Sequence, residues 1–429
     1  MENSVKNLIQ FIDHSPSCFH VIENAKKQFL EHGFIQLEEK EHWNLEEGKS
    51  YFVERNGSSM IAFHLPKKDF QGFHIVASHS DSPTYRIKEQ PEIHVEKHYT
   101  KLNIERYGGM IPETWFDRPL SVAGRIIIEE NGQIKDQLVN IDRDLMIIPN
   151  LAIHMSRSSN ESKQLNPQKD LLPLCGGNLT KDGFEEMIAK ESGVEKEDIL
   201  SYDLFLYNRM RGTTLGINEE FVAAPKLDDL ECAYSSIEGM LNAKLSKDYV
   251  TVCAVFDNEE VGSGTKQGAG STFFPEVLKR ISYLCGKNEE EYYMAVADSF
   301  MLSADNAHAV HPNYQDKTDP TNRPYINEGI VLKYNASQKY TTDANSAALV
   351  KYLCKKEKIK CQVFFNRSDM LGGSTLGNIL TGQVSIKAAD IGLPQLSMHS
   401  TYETAGCKDL DDMITLMESF YELGKEVQI

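Results

Sequence analysis

Apolar residues recur with a helical period at the start of the chain. Residues 4–13 include Leu8, Phe11 and Ile12, and residues 20–32 repeat the pattern up to Gly33. Spacings of three and four residues are typical of amphipathic helices, and glycine is a common helix C-cap. The pattern therefore predicts two amphipathic helices.

Strand patterns follow these helices. Residues 50–55 and 59–64 flank Asn56-Gly57, a dipeptide that favours a tight hairpin between two strands. The apolar run Phe73–His79 predicts a buried strand that carries His79 at its carboxyl end.

A β/α alternation occupies the chain after residue 222. The pattern predicts buried strands at Val250–Phe256, Tyr292–Ala297 and Cys361–Phe365, a helix at Asn345–Lys355, and a glycine-rich turn at Gly372–Gly377 that leads into another helix. Strands that alternate with helices indicate an open α/β sheet. Ligand sites in such sheets gather at the carboxyl ends of the strands.

The segment between these two parts has a different pattern. Short strand-like runs at 124–128 and 137–141 are separated by turn residues, and the polar stretch Ser156–Asp170 predicts a flexible loop. We predict an α/β domain with an open mixed sheet flanked by helices, formed by residues 1–86 and 222–429. Residues 87–221 are predicted to form an inserted β-rich domain.

Composition narrows the functional classes. The 429 residues are 41% hydrophobic, which allows a large core, and the net charge of -18 argues against nucleic acid as a partner. The sequence contains no run near the ~18 apolar residues of a membrane span and no signal-peptide pattern at its start. The eight cysteines include no CxxC pair, which argues against thiolate zinc sites. These features predict a cytoplasmic protein.

Five short, widely separated segments carry the residue types that a two-metal hydrolase needs. They are Ser78–Asp81, Lys226–Asp229, Asp257–Gly262, Ser303–Asp305 and Ser397–Ser400. Together they offer two histidines, several aspartates and a pair of adjacent glutamates. Within the first segment, the Asp81 carboxylate is spaced to accept a hydrogen bond from the second ring nitrogen of His79 and so orient a ligating histidine.

The adjacent Glu259 and Glu260 follow the predicted strand Val250–Phe256. Two neighbouring side chains at a strand end point in different directions, so one can bind a metal while the other faces a bound water.

Other interpretations of these residues stay open. Asp228 and Asp229 also suit the N-terminus of the helix that follows them, and Asp305 also suits a capping role. His399 also fits a surface loop, and His308 and His311 are rival metal ligands.

Two other kinds of site are disfavoured. The glycine-rich turn Gly372–Gly377 is not followed by the Gly-Lys-Ser/Thr of a phosphate loop, so nucleotide binding is not expected. The sequence contains no Gly-x-Ser-x-Gly elbow, which argues against a serine nucleophile.

At these segments the chain resembles the aspartyl aminopeptidase family of dinuclear metallo-aminopeptidases. The matching stretches appear in the family's order and span almost the whole chain: Ala77–Pro83, Lys226–Leu230, Phe256–Ser263, Ser303–Tyr314 and Gln395–Ser400. The resemblance implies two divalent metal ions, most simply Zn²⁺, with Mn²⁺ or Co²⁺ as alternatives.

The resemblance also implies a role for each residue. Asp228 would bridge the two metals, His79 and Asp305 would complete one metal site, and Glu260 and His399 would complete the other. Glu259 would be the general base, and Asp81 would orient His79.

Three further expectations come from the resemblance. The stretch Ile148–His154 resembles a segment of the inserted domain that supplies a histidine to a neighbouring subunit, so His154 would touch the reacting carbonyl across an interface. Lys333 resembles a position linked to the recognition of acidic side chains, although a solvated lysine on a strand is the alternative. The family's assembly is a tetrahedral homo-dodecamer, which the inserted domain would mediate.

The predicted function is the release of N-terminal residues from peptides, with Asp and Glu preferred, by a metal-activated water and Glu259. One alternative keeps this mechanism with a preference for neutral or basic residues. Others are a different two-metal hydrolase, such as a deacylase or glucanase relative, and a non-catalytic scaffold that forms a shell.

Overall fold

The computed structural model describes residues 2–156, 164–179 and 182–426. The helices are α1 Glu2–Asp13, α2 Cys18–Glu31, α3 Pro167–Asp170, α4 Gly183–Ser192, α5 Leu227–Asn242, α6 Phe273–Leu284, α7 Glu289–Ala297, α8 Ala344–Glu357, α9 Leu376–Gln383 and α10 Cys407–Tyr421. No helix within these ranges is both long and apolar enough to cross a membrane.

Strands fall into three sheets. The strands are β1 Ile35–Leu37, β2 Lys49–Arg55, β3 Ser59–Leu65, β4 Phe73–His79, β5 Thr84–Val95, β6 Tyr99–Tyr107, β7 Leu120–Glu130, β8 Gln133–Asn140, β9 Leu174–Gly176, β10 Ile199–Asn208, β11 Thr213–Leu215, β12 Phe221–Ala224, β13 Val250–Phe256, β14 Phe300–Ala304, β15 Ala307–His308, β16 Ile330–Lys333, β17 Cys361–Phe364, β18 Lys387–Gly392, β19 Pro394–Leu396 and β20 Glu403–Gly406.

The largest sheet has nine strands in the order β1-β2-β3-β13-β4-β14-β18-β16-β17. Helices α1, α2, α5, α8 and α10 pack on one face in one apolar cluster. Helices α6, α7 and α9 pack on the other face in a second cluster. The central strands β4, β13 and β14 are buried throughout and mutually parallel. The predicted open mixed sheet flanked by helices is confirmed.

Local predictions from the hydrophobic pattern hold for most elements. The first two helices, the buried strands β4 and β13, helix α8 and strand β17 lie where the sequence predicts them. Strands β2 and β3 pair in antiparallel, and Asn56 and Gly57 both adopt positive φ, as a tight hairpin turn requires.

The prediction for one element is wrong. Residues Tyr292–Ala297, predicted as a strand, belong to helix α7, and the buried strand of this region is β14. Asn288 caps the helix, because its side chain accepts a hydrogen bond from the backbone of Glu291 while the Glu291 side chain accepts one from the backbone of Asn288. This capping box and three acidic residues in the first turn favour a helix at this position.

A second sheet has six strands in the order β8-β7-β10-β5-β6-β9. All of them lie between Thr84 and Asn208, and they enclose a separate apolar cluster. The predicted domain boundaries at 86 and 222 remain a prediction. Of the predicted flexible loop Ser156–Asp170, residues 157–163 lie outside the described residues, and Pro167–Asp170 form a short helix.

The third sheet is small, with the order β11-β12-β20-β19-β15. Its strands connect directly to predicted site segments. Asp228 lies shortly after β12, His399 shortly after β19, and Asp305 just before β15. The small sheet thus gathers these three segments beside the carboxyl ends of the central strands of the large sheet.

Candidate metal centre

Three parallel strands of the large sheet deliver side chains to one place. His79 ends β4, and its neighbour β13 pairs in register with it, so that Phe256 lies opposite His79. Glu259 and Glu260 therefore follow β13 close to His79. Asp305 follows β14 on the other side of β4. This convergence at the carboxyl ends is what the predicted sheet requires.

One group of potential ligands is fully buried. His79, Asp228, Asp229 and Asp305 each present a ligand atom, and these atoms lie within 4.8 Å of one another. His79 Nε2 is 3.5 Å from Asp228 Oδ1. The group contains the three residues that the sequence resemblance assigns to one metal.

A second group shares a residue with the first. Asp228, Glu260 and His399 also present atoms within 4.8 Å of one another. His399 Nε2 is 3.2 Å from Asp228 Oδ2 and 3.4 Å from Glu260 Oε1. The two oxygens of Asp228 thus face the two histidines, which is the arrangement that a bridging carboxylate needs.

The residues fit divalent cations. Asp228 Oδ1, Asp229 Oδ1 and Glu260 Oε1 are buried and have no hydrogen-bond partner among the described residues. Buried carboxylate oxygens are costly unless a donor or a cation compensates them. Imidazole and carboxylate donors together suit zinc, manganese or cobalt.

The pKa shifts in the metal-free cluster also indicate a cation site. Burial lowers the pKa of His79, but the carboxylates of Asp229, Asp228 and Asp81 outweigh it and raise that pKa well above its usual range. Burial raises the pKa of Asp228, yet His399 and His79 bring it below its usual range. In the metal-free protein, protonated histidines therefore neutralise part of the carboxylate charge. Bound cations would take over this role.

Glu259 is a suitable proton carrier. Burial and the nearby carboxylates of Asp305, Asp81 and Asp228 raise the pKa of Glu259 to about 8 against the opposing effect of His79. Its carboxylate lies within 4.8 Å of ligand atoms of His79 and Glu260. A general base close to a metal centre, with a pKa near the working pH, is what proton transfer requires.

Asp81 lies beside the second ring nitrogen of His79, and both its main chain and its carboxylate face that nitrogen. His79 Nδ1 lies 3.0 Å from the main-chain oxygen of Asp81, whereas the nearer carboxylate oxygen is 3.4 Å away. The Asp81 carboxylate also accepts the backbone N–H groups of Glu259 and Glu260, both at 3.1 Å. Asp81 therefore fixes His79 through its backbone and the glutamate pair through its side chain.

Lys333 is buried, with 2% of its surface exposed, so the alternative of a solvated lysine does not hold. Its ammonium donates to the main-chain oxygens of Asp305 at 2.7 Å and Asn306 at 3.2 Å, and lies 3.5 Å from Asp305 Oδ2. Lys333 thus supports the loop that carries Asp305.

The other candidate histidines are members of neither group. His308 and His311 belong to none of the clusters found among the described residues. His154 is exposed in a short 3-10 helix, Ile153–Met155, and is likewise absent from those clusters.

Two further residues at the site, Asp229 and Tyr107, were not among the predicted site residues. Asp229 joins the first group and accepts the backbone N–H of His79 at 3.0 Å, although its place beside Asp228 was visible in the motif. Tyr107 donates to Asp81 at 2.6 Å and accepts from the Asn258 side chain at 2.8 Å. Tyr107 ends β6, far along the chain from these partners, so no local pattern marks it.

Comparison with known proteins identifies the family. The model of the aminopeptidase I zinc metalloproteases, M18, matches residues 11–421. The chain belongs to the M18 family of metallo-aminopeptidases. As a member, it is a hydrolase that acts on peptides, and the predicted relation to aspartyl aminopeptidases is confirmed at this level.

The relatives and solved structures match nearly the whole length of this M18 chain. A probable M18 family aminopeptidase 2 of Clostridium acetobutylicum is 45% identical, over 97% of this chain and 98% of its own. The structure of Ape4 in a complex with Nbr1 superposes with a TM-score of 0.95 at 36% identity, over 98% of this chain and 85% of that one. The mApe1 dodecamer of S. cerevisiae gives 0.86 at 26% identity, over 98% and 97%.

The metal-stripped protein should lose stability as the pH rises. Glu259 and Asp257, with pKa values raised to about 8 and about 7 chiefly by burial, hold protons that an unfolded chain releases near pH 4. The folded state then binds more protons, so the free energy of unfolding falls between about pH 4 and pH 8. The depressed pKa of Asp228 acts only at lower pH.

Thermal unfolding of metal-stripped protein at pH 5.5, 7.0 and 8.5 checks this. We expect the melting temperature to fall across the series, and saturating zinc to restore it most at pH 8.5, because cations replace the protons. A melting temperature that rises with pH in the stripped protein would show that the folded state does not bind more protons than the unfolded chain.

Proposed function

We propose that this M18 protein is a two-metal aminopeptidase that removes N-terminal Asp and Glu from peptides. The observation that carries the proposal is the shared carboxylate of Asp228. It faces His79 and Asp305 in one group and His399 and Glu260 in the other. The alternative of a scaffold has no use for such a paired site.

The roles of the side chains follow from their positions. When bound, two divalent ions at such sites polarise the scissile carbonyl and acidify water. Glu259 takes the proton of the attacking water and passes it to the leaving amine. Asp81 keeps the backbone of the glutamate pair in place through its two carboxylate hydrogen bonds. The acidic cluster also provides partners for the free α-amine of the substrate, which suits an exopeptidase.

An acidic preference would come from Lys333. Two of its three ammonium protons go to backbone oxygens, and the third faces Asp305 Oδ2 at 3.5 Å, a long contact that a substrate carboxylate can replace. Burial lowers the pKa of Lys333, but Asp305 and other acidic neighbours raise it above its usual range, so the charge persists at neutral pH. A fixed buried cation beside the metal groups favours a substrate side chain that ends in a carboxylate.

The assembly proposal concerns the segment around His154. Leu151, Ile153 and Met155 are exposed, with Met155 at 76%. Adjacent exposed apolar residues suit a contact with another subunit. We infer a homo-oligomer, specifically a tetrahedral dodecamer in which His154 reaches the carbonyl in a neighbouring active site. The predicted cytoplasmic location belongs to the same proposal.

Peptide hydrolysis tests the activity and its specificity. Metal-stripped protein is reloaded with zinc or manganese and given peptides with N-terminal Asp, Glu, Leu or Lys, and an acetylated Asp peptide. We expect metal-dependent release of Asp and Glu, with the acetylated peptide intact. Cleavage of the acetylated peptide would instead support a deacylase or an endopeptidase.

The variant Lys333→Met separates recognition from support of the Asp305 loop. We expect kcat/KM for the Asp peptide to fall about 10- to 100-fold more than that for the Leu peptide, as loss of a charged hydrogen bond implies. The exposed Lys360→Met is the control. An equal fall in kcat/KM for both peptides would mean that Lys333 supports the Asp305 loop but does not recognise the substrate side chain.

A further inference from the structure

Strand β20 lies between the two strands that lead to Asp228 and His399. In the small sheet, β20 pairs with β12 on one side and β19 on the other. Asp228 follows β12, and His399 follows β19. The first residue of β20, Glu403, is buried with 1% of its surface exposed. Its position places one side chain within reach of both segments.

Each carboxylate oxygen of Glu403 accepts a backbone N–H from one of these segments. Oε1 accepts from His399 at 2.7 Å, and Oε2 accepts from Asp228 at 3.0 Å. These are the two residues whose side chains meet at 3.2 Å in the second group. One carboxylate therefore ties together the backbones of two residues that must lie a fixed distance apart.

The backbone at both segments needs such a restraint. Ser397 and His399 adopt φ of 60° and 67°, and Lys226, two residues before Asp228, adopts 60°. These left-handed conformations are unfavourable for residues other than glycine. The hydrogen bond to Glu403 fixes the His399 amide within such a turn.

We propose that Glu403 is a positioning residue that sets the separation of Asp228 and His399 before a metal binds. The inference rests on the proposed two-metal function. A glutamine at 403 cannot replace the carboxylate, because it presents one acceptor oxygen and one NH₂ group to two N–H donors. The backbone N–H of either Asp228 or His399 would then lose its acceptor and face the NH₂ group of the glutamine.

The test compares Glu403→Gln with Asp409→Asn. Asp409 is a matched control because it is also buried and its two oxygens accept the backbone N–H groups of Asn327 and Gly329 at 2.6 and 2.7 Å. Zinc binding to each protein is measured by competition with a chromophoric chelator, together with kcat and KM.

We expect Glu403→Gln to weaken one of the two zinc sites about 10- to 100-fold, as loss of a ligand-supporting contact does. We also expect kcat to fall by a similar factor with KM within about threefold. Asp409→Asn should keep both zinc affinities within about threefold. Wild-type zinc affinity and kcat in folded Glu403→Gln would overturn the inference while leaving the proposed function intact. A wild-type protein that binds fewer than two zinc ions would instead remove the proposed function.

Hydrogen exchange of the metal-free wild-type protein provides a test that needs no variant. We expect the His399 amide to exchange at least about tenfold more slowly than the amides of the exposed residues Ala336 and Lys339. Exchange at the same rate in the two segments would show that Glu403 does not hold the turn in the absence of metal, and would overturn the inference even if Glu403→Gln failed to fold.

Discussion

Glu259→Gln should lower kcat by about 10²- to 10⁴-fold, the usual contribution of a general base, while zinc content stays at the wild-type value. An amide keeps the size of the side chain but cannot accept a proton. The carboxylate of Glu259 lies beside His79 and Glu260 in the cluster, while Glu260 also faces His399. Steady-state kinetics with an N-terminal Asp peptide and metal analysis of the same sample measure both quantities.

Two further variants serve as comparisons for Glu259→Gln. Glu260→Gln should lose zinc as well as turnover, because the residue faces His399 and Asp228 in the second group. The exposed Glu105→Gln should change neither quantity. If Glu259→Gln kept kcat within tenfold of the wild type, another group would carry the proton. If it lost zinc, the roles of the two glutamates would be reversed.

Asp228→Asn should have the largest effect on the metal centre. The two carboxylate oxygens face different histidines, at 3.5 Å and 3.2 Å, whereas an asparagine offers only one oxygen. We expect the loss of at least one zinc ion per chain. Metal polarisation contributes several kcal/mol to the transition state, so kcat/KM should fall on the order of 10³-fold.

Asp409→Asn again provides the comparison, since it alters a buried aspartate outside both groups of ligands. Zinc content is measured by mass spectrometry of metals after gel filtration, with kcat/KM on the Asp peptide. An Asp228→Asn protein that kept two zinc ions and its turnover would show that Asp228 does not bridge the ions, and the proposed ligand set would need to change.

Much of the large sheet follows from local pattern. The strands that end at His79 and Phe256 are continuous apolar runs, and the hairpin turn is marked by Asn56-Gly57. Side chains at the ends of parallel neighbours must converge, so their proximity was predictable. The segment Tyr292–Ala297 was wrongly predicted as a strand because its aromatic and apolar composition resembles one. The capping box at Asn288 favours the helix instead.

The supporting contacts were less accessible from sequence. Tyr107 reaches Asp81, and Glu403 reaches Asp228, from strands in different sheets that lie far away along the chain. Such contacts depend on how the sheets pack, which no short motif encodes. Asp81 shows a related limit, because spacing placed it beside His79 but did not reveal that its carboxylate holds the backbone of Glu259.

A zinc titration of the metal-stripped protein measures how many ions the site holds and whether they are needed for turnover. Bound zinc and release of Asp from a free peptide are followed at each addition. We expect saturation at two zinc ions per chain, with turnover that appears as the sites fill and disappears again with a chelator. Turnover in the fully stripped protein, or saturation at a single ion with full activity, would contradict a two-metal aminopeptidase.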